Sequence, residues 1–170
     1  MTPALGIWAR TLGWTAFAGA TLVLVEAPRP EPRTPRPVAL ASGLGAGALL
    51  YACVVRRAPI AALGPPTPKT LTRSAILVLW AANEEVVWRR LVLGEALRGG
   101  AVVAVAASSV AFALMHRRRR ATHVVTGAAF GGTYVGTGSL AASVVAHWLY
   151  NTLVAAGLPR ARAPATEARA

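Results

Sequence analysis

Apolar stretches alternate with short polar or proline-rich connections along the whole chain. The apolar blocks cover residues 5–26, 38–55, 74–98, 100–116, 121–137 and 139–157. A helix needs about 20 apolar residues to cross a bilayer, because a hydrocarbon core of about 30 Å is spanned at about 1.5 Å per residue. The pattern therefore predicts an all-α protein, a polytopic transmembrane helical bundle with about six membrane-spanning helices.

Prolines and glycines mark the connections between the blocks. Residues 28–37 read PRPEPRTPRP, which predicts an extended, polyproline-like spacer. The second connection, residues 56–73, also contains helix-breaking prolines and a glycine. We expect a single transmembrane domain over residues 1–158, in which the blocks over about 74–157 carry the motifs and the family resemblance described below. Residues 159–170 are expected to form a disordered cytoplasmic tail.

Composition supports a membrane protein and argues against a nucleic-acid-binding protein. The chain is 55% hydrophobic and only 14% charged, and its formal net charge is +12. The arginines sit in short runs between apolar blocks rather than on one face of a domain, so they do not form a patch for nucleic acid. We expect membrane lipid to surround this chain, and we expect no nucleic-acid partner.

The distribution of basic residues predicts the orientation of the bundle. With six spans, one side of the membrane carries eleven Lys and Arg residues in its loops and tail, whereas the other side carries four, namely Arg29, Arg33, Arg36 and Arg98. Because the more basic side is normally cytoplasmic, both termini are expected in the cytoplasm of a multi-pass cell-membrane protein. The alternative for the first block is a cleaved signal peptide, but Arg10 interrupts its apolar run.

Small residues at four-residue spacing predict close helix packing. Three such pairs occur, Gly43 with Gly47, Gly127 with Gly131, and Gly132 with Gly136. In a membrane this spacing lets two helix backbones approach each other. The single cysteine, Cys53, lies in a featureless apolar run and is expected to be an inert packing residue.

Four charges interrupt the third apolar block, where residues 81–91 read AANEEVVWRRL. Ionised side chains are costly at the bilayer centre, so these must face the protein interior, a wet cavity or one another. Glu85 and Arg89 are four residues apart and are expected to form an ion pair on one helix face. Glu84 is rotated by about 100° from Glu85 and has no such partner. A spare buried carboxylate of this kind suits a general base.

Two further polar pairs lie in the fourth and sixth blocks. Phe112 and His116 are four residues apart, as are His147 and Asn151, so each pair shares a helix face. Together with Glu84, two imidazoles and an amide donor are the components of a site that hydrolyses amides. The third histidine, His123, is expected to be an interfacial residue without a part in this site.

These motifs resemble those of the CPBP family, which includes type II CAAX prenyl endopeptidases and relatives linked to bacteriocin processing and self-immunity. The matching motifs are EExxxR at Glu84, Glu85 and Arg89, FxxxH at Phe112 and His116, and HxxxN at His147 and Asn151. One departure lies around the motif arginine, where Trp88 and Arg90 replace the usual Phe and small residue. Arg90 is expected to narrow or recharge the substrate entrance.

The resemblance implies an intramembrane endopeptidase that cleaves a membrane-associated peptide or protein, with or without a lipid group. Glu84 would activate water and His116 would orient it or share its proton, while His147 and Asn151 would stabilise the oxyanion. Glu85, Arg89 and Phe112 would have structural roles.

Other chemistries remain open at the level of sequence. The chain has no Asp for an aspartate dyad and no HExxH motif for a zinc helix. Zinc could still be bound by Glu84, His116 and His147, although Asn151 is a poor zinc ligand and a reaction without a cofactor is favoured. A non-catalytic membrane scaffold or immunity protein is the alternative function, and a proton or ion pathway is a third.

Overall fold

The computed structural model describes residues 3–56 and 67–157, in which helices are the only regular secondary structure, as the sequence predicts. The predicted tail over residues 159–170 lies outside this description. The helices are α1 (Pro3–Leu24), α2 (Arg36–Val55), α3 (Pro68–Glu85), a π-helix (Val86–Leu93), α4 (Gly94–Ala96), a 3₁₀ turn (Leu97–Gly99), α5 (Ala101–Leu114), α6 (Arg120–Thr137) and α7 (Leu140–Gly157). All six predicted blocks are therefore helical.

Apolar side chains cover much of the outside of this bundle. Val23, Val102 and Met115 are exposed by 83%, 85% and 71%, which suits contact with lipid better than contact with water. Two described helices, Arg36–Val55 and Leu140–Gly157, are long and apolar enough to cross a membrane, and the number of six spans stays a prediction. Cys53 is exposed rather than packed inside the bundle, so its expected packing role is wrong.

Helices α2 and α7 pack together through their backbones. A methyl group on Gly43 would overlap the carbonyl oxygen of Ala142, and one on Gly47 would lie 2.5 Å from the carbonyl oxygen of Ala146. Glycine thus permits this close approach, and the contact fixes the helix that carries His147.

The other two glycine pairs behave differently from each other. A methyl group on Gly127 would lie 3.0 Å from the Cα atom of Ser109, so the close packing predicted for the pair of Gly127 and Gly131 is present between α6 and α5. Nothing lies within 4 Å of such a group on Gly132 or Gly136. The packing face predicted for this third pair is therefore wrong within the described chain, because that side of α6 points away from the other helices.

The third apolar block is not one regular helix. Helix α3 widens into the π-helix Val86–Leu93 directly after Glu85. Two consecutive arginines of this segment, Arg89 and Arg90, are both buried. Arg89 turns towards Glu85, whereas Arg90 donates from Nη1 to the carbonyl oxygen of Ala27 at 2.6 Å. The expectation that Arg90 lies at a substrate entrance is wrong, because its partner is the connection between α1 and α2.

Helix α1 is attached to α3 by two polar contacts. The indole Nε1 of Trp80 donates to the hydroxyl of Thr11 at 2.8 Å, and the amide of Asn83 donates to the hydroxyl of Thr15 at 2.9 Å. These side chains find partners across the helix interface where water is absent. As a result, α1 is held beside the segment that leads to Glu84.

The contact between α2 and α7 predicts that Gly43→Ala lowers the melting temperature of the purified protein in detergent. The added methyl group would overlap the backbone of Ala142, and such overpacking typically costs about 1–3 kcal/mol. Gly45→Ala on the same helix is the matched control, because nothing lies within 4 Å of its added methyl group. Equal melting temperatures for the two variants would contradict the close packing.

Candidate active site

The carboxylate of Glu85 is the centre of a buried polar cluster. Its Oε2 accepts from Arg89 Nε at 3.1 Å and from the hydroxyl of Ser143, and its Oε1 lies 2.8 Å from His147 Nδ1. The side chains of Glu85 and Arg89 have no exposed surface, and that of His147 is 5% exposed. We call Glu85, Arg89, Ser143 and His147 the Glu85 cluster; it includes the ion pair predicted from the four-residue spacing.

Arg89 extends the Glu85 cluster to α5. Its Nη1 donates to the hydroxyl of Ser108 at 3.4 Å, and its guanidinium carbon lies 5.5 Å from the centre of the Phe112 ring. The face of an aromatic ring attracts a cation, so Phe112 adds to the compensation of this buried charge. Helices α3, α5 and α7 are thereby joined around a single ion pair.

His147 lies between the two adjacent glutamates. Nδ1 contacts Glu85, and Nε2 is 3.8 Å from Oε2 of Glu84. The ring stacks on Phe130 with a centroid distance of 4.5 Å and an interplanar angle of 16°. Since a carboxylate can only accept, Nδ1 must carry a proton in this contact, and the ring is oriented by this hydrogen bond and by its stacking on Phe130.

Glu84 is the more accessible of the two glutamates. Its side chain is 23% exposed, whereas that of Glu85 is fully buried. The difference follows from one step along the helix, which turns the two neighbouring side chains by about 100°. Glu85 therefore points into the protein, and Glu84 borders a cavity.

His116 follows α5 rather than lying within it, because that helix ends at Leu114. Its Nδ1 lies 2.8 Å from the carbonyl oxygen of Phe112. The two residues therefore lie on the same side, as predicted, although His116 lies beyond the end of the helix. Its ring stacks on that of His123 with a centroid distance of 3.8 Å. The expectation that His123 is only an interfacial residue is wrong.

The four residues predicted to be catalytic border one small cavity of about 120 Å³. The carbonyl oxygen of Phe112 and the ring of Phe130 position the two histidines that face it. The lining residues are Glu84, Phe112, His116, Thr122, His123, Thr126, Phe130, His147, Tyr150 and Asn151. The structure therefore brings together, from α3, α5, α6 and α7, a carboxylate, three imidazoles and an amide.

A larger groove of about 470 Å³ adjoins this cavity, and the two share Glu84 and His116. The groove lies between α1, α3, the π-helix and the end of α5. Its walls are mostly aromatic and apolar, and its lining comprises Arg10, Gly13, Trp14, Trp80, Glu84, Trp88, Met115 and His116. An apolar group held in this groove would lie next to the polar cavity.

Several residues of this site were not predicted from the sequence. Ser143, His147 and Asn151 recur every four residues along α7, so this polar stripe was a readable signal for Ser143. His123, Thr126 and Phe130 follow a similar helical spacing on α6. Tyr150 lies three residues after His147 on α7, so helical spacing places it on the same face.

The side chains do not form a ready three-ligand metal centre. Among the described residues, no group of three or more His, Cys, Asp or Glu side chains is arranged to hold a metal ion. His116 and His147 use Nδ1 on the Phe112 carbonyl and on Glu85, which leaves Nε2 of each ring as the atom that could bind a metal. The donor set therefore suits zinc chemically, but the three side chains are not grouped as metal ligands in this structure.

The fold and the site define a helical membrane protein with a buried glutamate and histidine centre beside an apolar groove. A sequence model of the family described as type II CAAX prenyl endopeptidase Rce1-like matches residues 67–153, which is more than half of the chain. The chain therefore belongs to this family of intramembrane peptidases of the CAAX-protease type, as its motifs indicate. No significant match was found among curated proteins or among solved structures.

The Glu85 cluster predicts a large stability loss for Glu85→Gln. Removing the charge leaves the guanidinium of Arg89 buried without its counter-ion, which typically costs about 3–5 kcal/mol. The measurement is thermal unfolding of purified protein in detergent.

Glu95→Gln is the matched control for this prediction. Its ion pair with Arg98 spans 3.5 Å, and the two side chains are 46% and 73% exposed. Exposed pairs contribute about 0–1 kcal/mol, so this control should stay close to wild type. A melting temperature for Glu85→Gln as high as that of the control would show that the cluster does not stabilise the bundle.

Proposed function

We propose that this protein is an intramembrane endopeptidase in which Glu84 activates water to attack a peptide carbonyl. The observation that carries the proposal is the single cavity bordered by Glu84, His116, His147 and Asn151. Glu84 is free of the ion pair that holds Glu85, so it can accept a proton from water without breaking up the core of the fold.

His147 has the role of an oxyanion donor in this mechanism. Its Nδ1 donates to Glu85, so the contact with an oxyanion falls to Nε2, which lies 3.8 Å from Oε2 of Glu84. An oxyanion that forms on the side of Glu84 would accept from Nε2, while Glu85 keeps the ring in place.

His116 and Asn151 complete the proposed mechanism. Because the Phe112 carbonyl oxygen accepts from Nδ1 of His116, the neutral ring keeps Nε2 as an atom that can take up a proton. His116 would therefore share the proton that Glu84 removes and pass it to the departing amine. Asn151 lies one turn beyond His147 on α7 and would donate a second hydrogen bond to the oxyanion.

The groove supports a membrane-associated substrate. We propose that its tryptophan-rich wall holds an apolar part of a peptide or protein, with or without a lipid group, and presents the adjacent peptide bond to Glu84. The proposed orientation has six spans with both termini in the cytoplasm. In that orientation the groove faces the side of the basic connection after α5, where residues 117–120 are all arginine.

The first test of this function is Glu84→Gln. The variant keeps the shape of the side chain but removes the proton acceptor, so cleavage should fall by about 10²–10⁴-fold while the melting temperature changes little. The measurement uses purified protein in proteoliposomes with internally quenched CAAX-type peptides, each supplied with and without a prenyl group.

Glu26→Gln, an exposed glutamate outside the cavity and the groove, is the control and should cleave like wild type. Wild-type turnover by Glu84→Gln would exclude Glu84 as the base. No turnover of any peptide by the well-folded wild type would favour a non-catalytic scaffold instead.

A second test addresses the cofactor. Without a metal, activity should survive extended chelation, and elemental analysis should find no stoichiometric zinc in active protein. Asn151→Ala should lower kcat by about 10²–10³-fold with little change in KM, because an oxyanion donor acts mainly in the transition state. Zinc at about one per chain that is lost together with activity in His147→Ala would establish the metalloprotease mechanism.

A further inference from the structure

A second cavity, of about 550 Å³, lies where the connection between α1 and α2 meets the turn between α6 and α7. It shares no lining residue with the cavity around Glu84. The lining residues with charged or hydroxyl side chains include Arg29, Thr34, Arg36, Arg90, Tyr134 and Ser139. Three arginines and several hydroxyl groups line this cavity, but no carboxylate does; Glu26 and Glu31 of the same connection are not among the lining residues.

Arg90 is the deepest of these arginines and is only 6% exposed. Its Nη1 donates to the carbonyl oxygen of Ala27, and its Nε has no hydrogen-bond partner among the described residues. No carboxylate in that part of the chain forms an ion pair with it. A buried guanidinium compensated by one neutral carbonyl is unfavourable, so this site is arranged to receive a negative charge.

The backbone around the cavity is fixed in a way that preserves it. Gly138 has a φ of +68°, a conformation that favours glycine, and a methyl group there would overlap the carbonyl oxygen of Glu31. The backbone N–H of Arg33 also donates to the carbonyl oxygen of Thr137 at 3.3 Å. These contacts hold the proline-rich connection against the turn between α6 and α7.

Further positive potential comes from the rim and from two helix ends. Arg29 and Arg36 are exposed at the cavity, and Tyr134 lines it as well. Helix α2 begins at Arg36 and helix α7 begins at Leu140, and both residues line the cavity. The N-terminal ends of helices carry partial positive charge and unpaired N–H groups, which favour an anion.

We propose that this cavity binds a phosphate group, which the head of an anionic phospholipid or a free phosphate ion could supply. Guanidinium groups match phosphate oxygens in geometry and charge, and hydroxyl groups such as those of Thr34 and Ser139 can donate to the remaining oxygens. The bound anion compensates Arg90 and joins the connection between α1 and α2 to the bundle. The site is independent of the proposed peptidase activity.

The test compares two phosphate sources on the purified full chain in a neutral detergent. One series titrates inorganic phosphate, and the other adds dioleoylphosphatidylglycerol, with dioleoylphosphatidylcholine as the zwitterionic reference. Melting temperature and native mass spectrometry report binding. We expect saturable binding by wild type and a dissociation constant at least about tenfold higher in the double variant Arg29→Gln, Arg36→Gln, because charge-assisted hydrogen bonds are lost.

Arg33→Gln is the matched control, because Arg33 is an exposed arginine of the same connection and does not line the cavity. It should bind like wild type. Binding of phosphatidylglycerol alone, with the double variant impaired, would identify a lipid headgroup site, and equal sensitivity to inorganic phosphate would identify a free-anion site. Absence of saturable binding of both probes to wild type, or an equal loss in Arg33→Gln, would overturn the proposal.

Discussion

The buried carboxylate of Glu85 is the interaction on which the rest of the site depends. It receives hydrogen bonds from Arg89 on the π-helix and from Ser143 and His147 on α7, in a place without solvent. An ion pair in such a place is tolerated only when its remaining hydrogen-bonding positions are filled. The same contacts that satisfy Glu85 therefore fix the ring of His147, so the register of the helices and the geometry of the candidate active site have one origin.

Neighbouring residues of the same type have different roles here, because side chains one residue apart on a helix point in directions about 100° apart. Glu85 is closed in by its partners, whereas Glu84, one residue earlier, borders the cavity. The two arginines show the same division: Arg89 compensates Glu85, and Arg90 reaches the connection between α1 and α2. The four charged residues of this motif therefore have three different roles. Glu85 and Arg89 form a structural pair, Glu84 is the candidate base, and Arg90 lines a second cavity.

Helical periodicity is what made much of this predictable from sequence. The six helical blocks follow from the length of the apolar stretches, and the pair of Glu85 with Arg89 and the common faces of two motifs follow from four-residue spacing. The π-helix could not be predicted in this way, because four-residue spacing assumes a regular α-helix. Nor could the position of Arg90, whose partner Ala27 is 63 residues away in an irregular segment. His123 was missed because its place in the site comes from stacking on His116, a contact between α6 and the segment that follows α5.

The helices that form the walls of the site are held to the rest of the bundle with unequal strength. Helix α7 is fixed by glycine-mediated backbone contact with α2 and by the Glu85 cluster. Helix α1, which forms one wall of the groove, packs on α3 and the π-helix, where its polar contacts are the neutral hydrogen bonds of Thr11 and Thr15. Neutral hydrogen bonds contribute about 0.5–1.5 kcal/mol each, far less than a buried ion pair costs to break. No residue of α1 belongs to the Glu85 cluster, so the orientation of His147 and the ion pair of Glu85 do not depend directly on this wall.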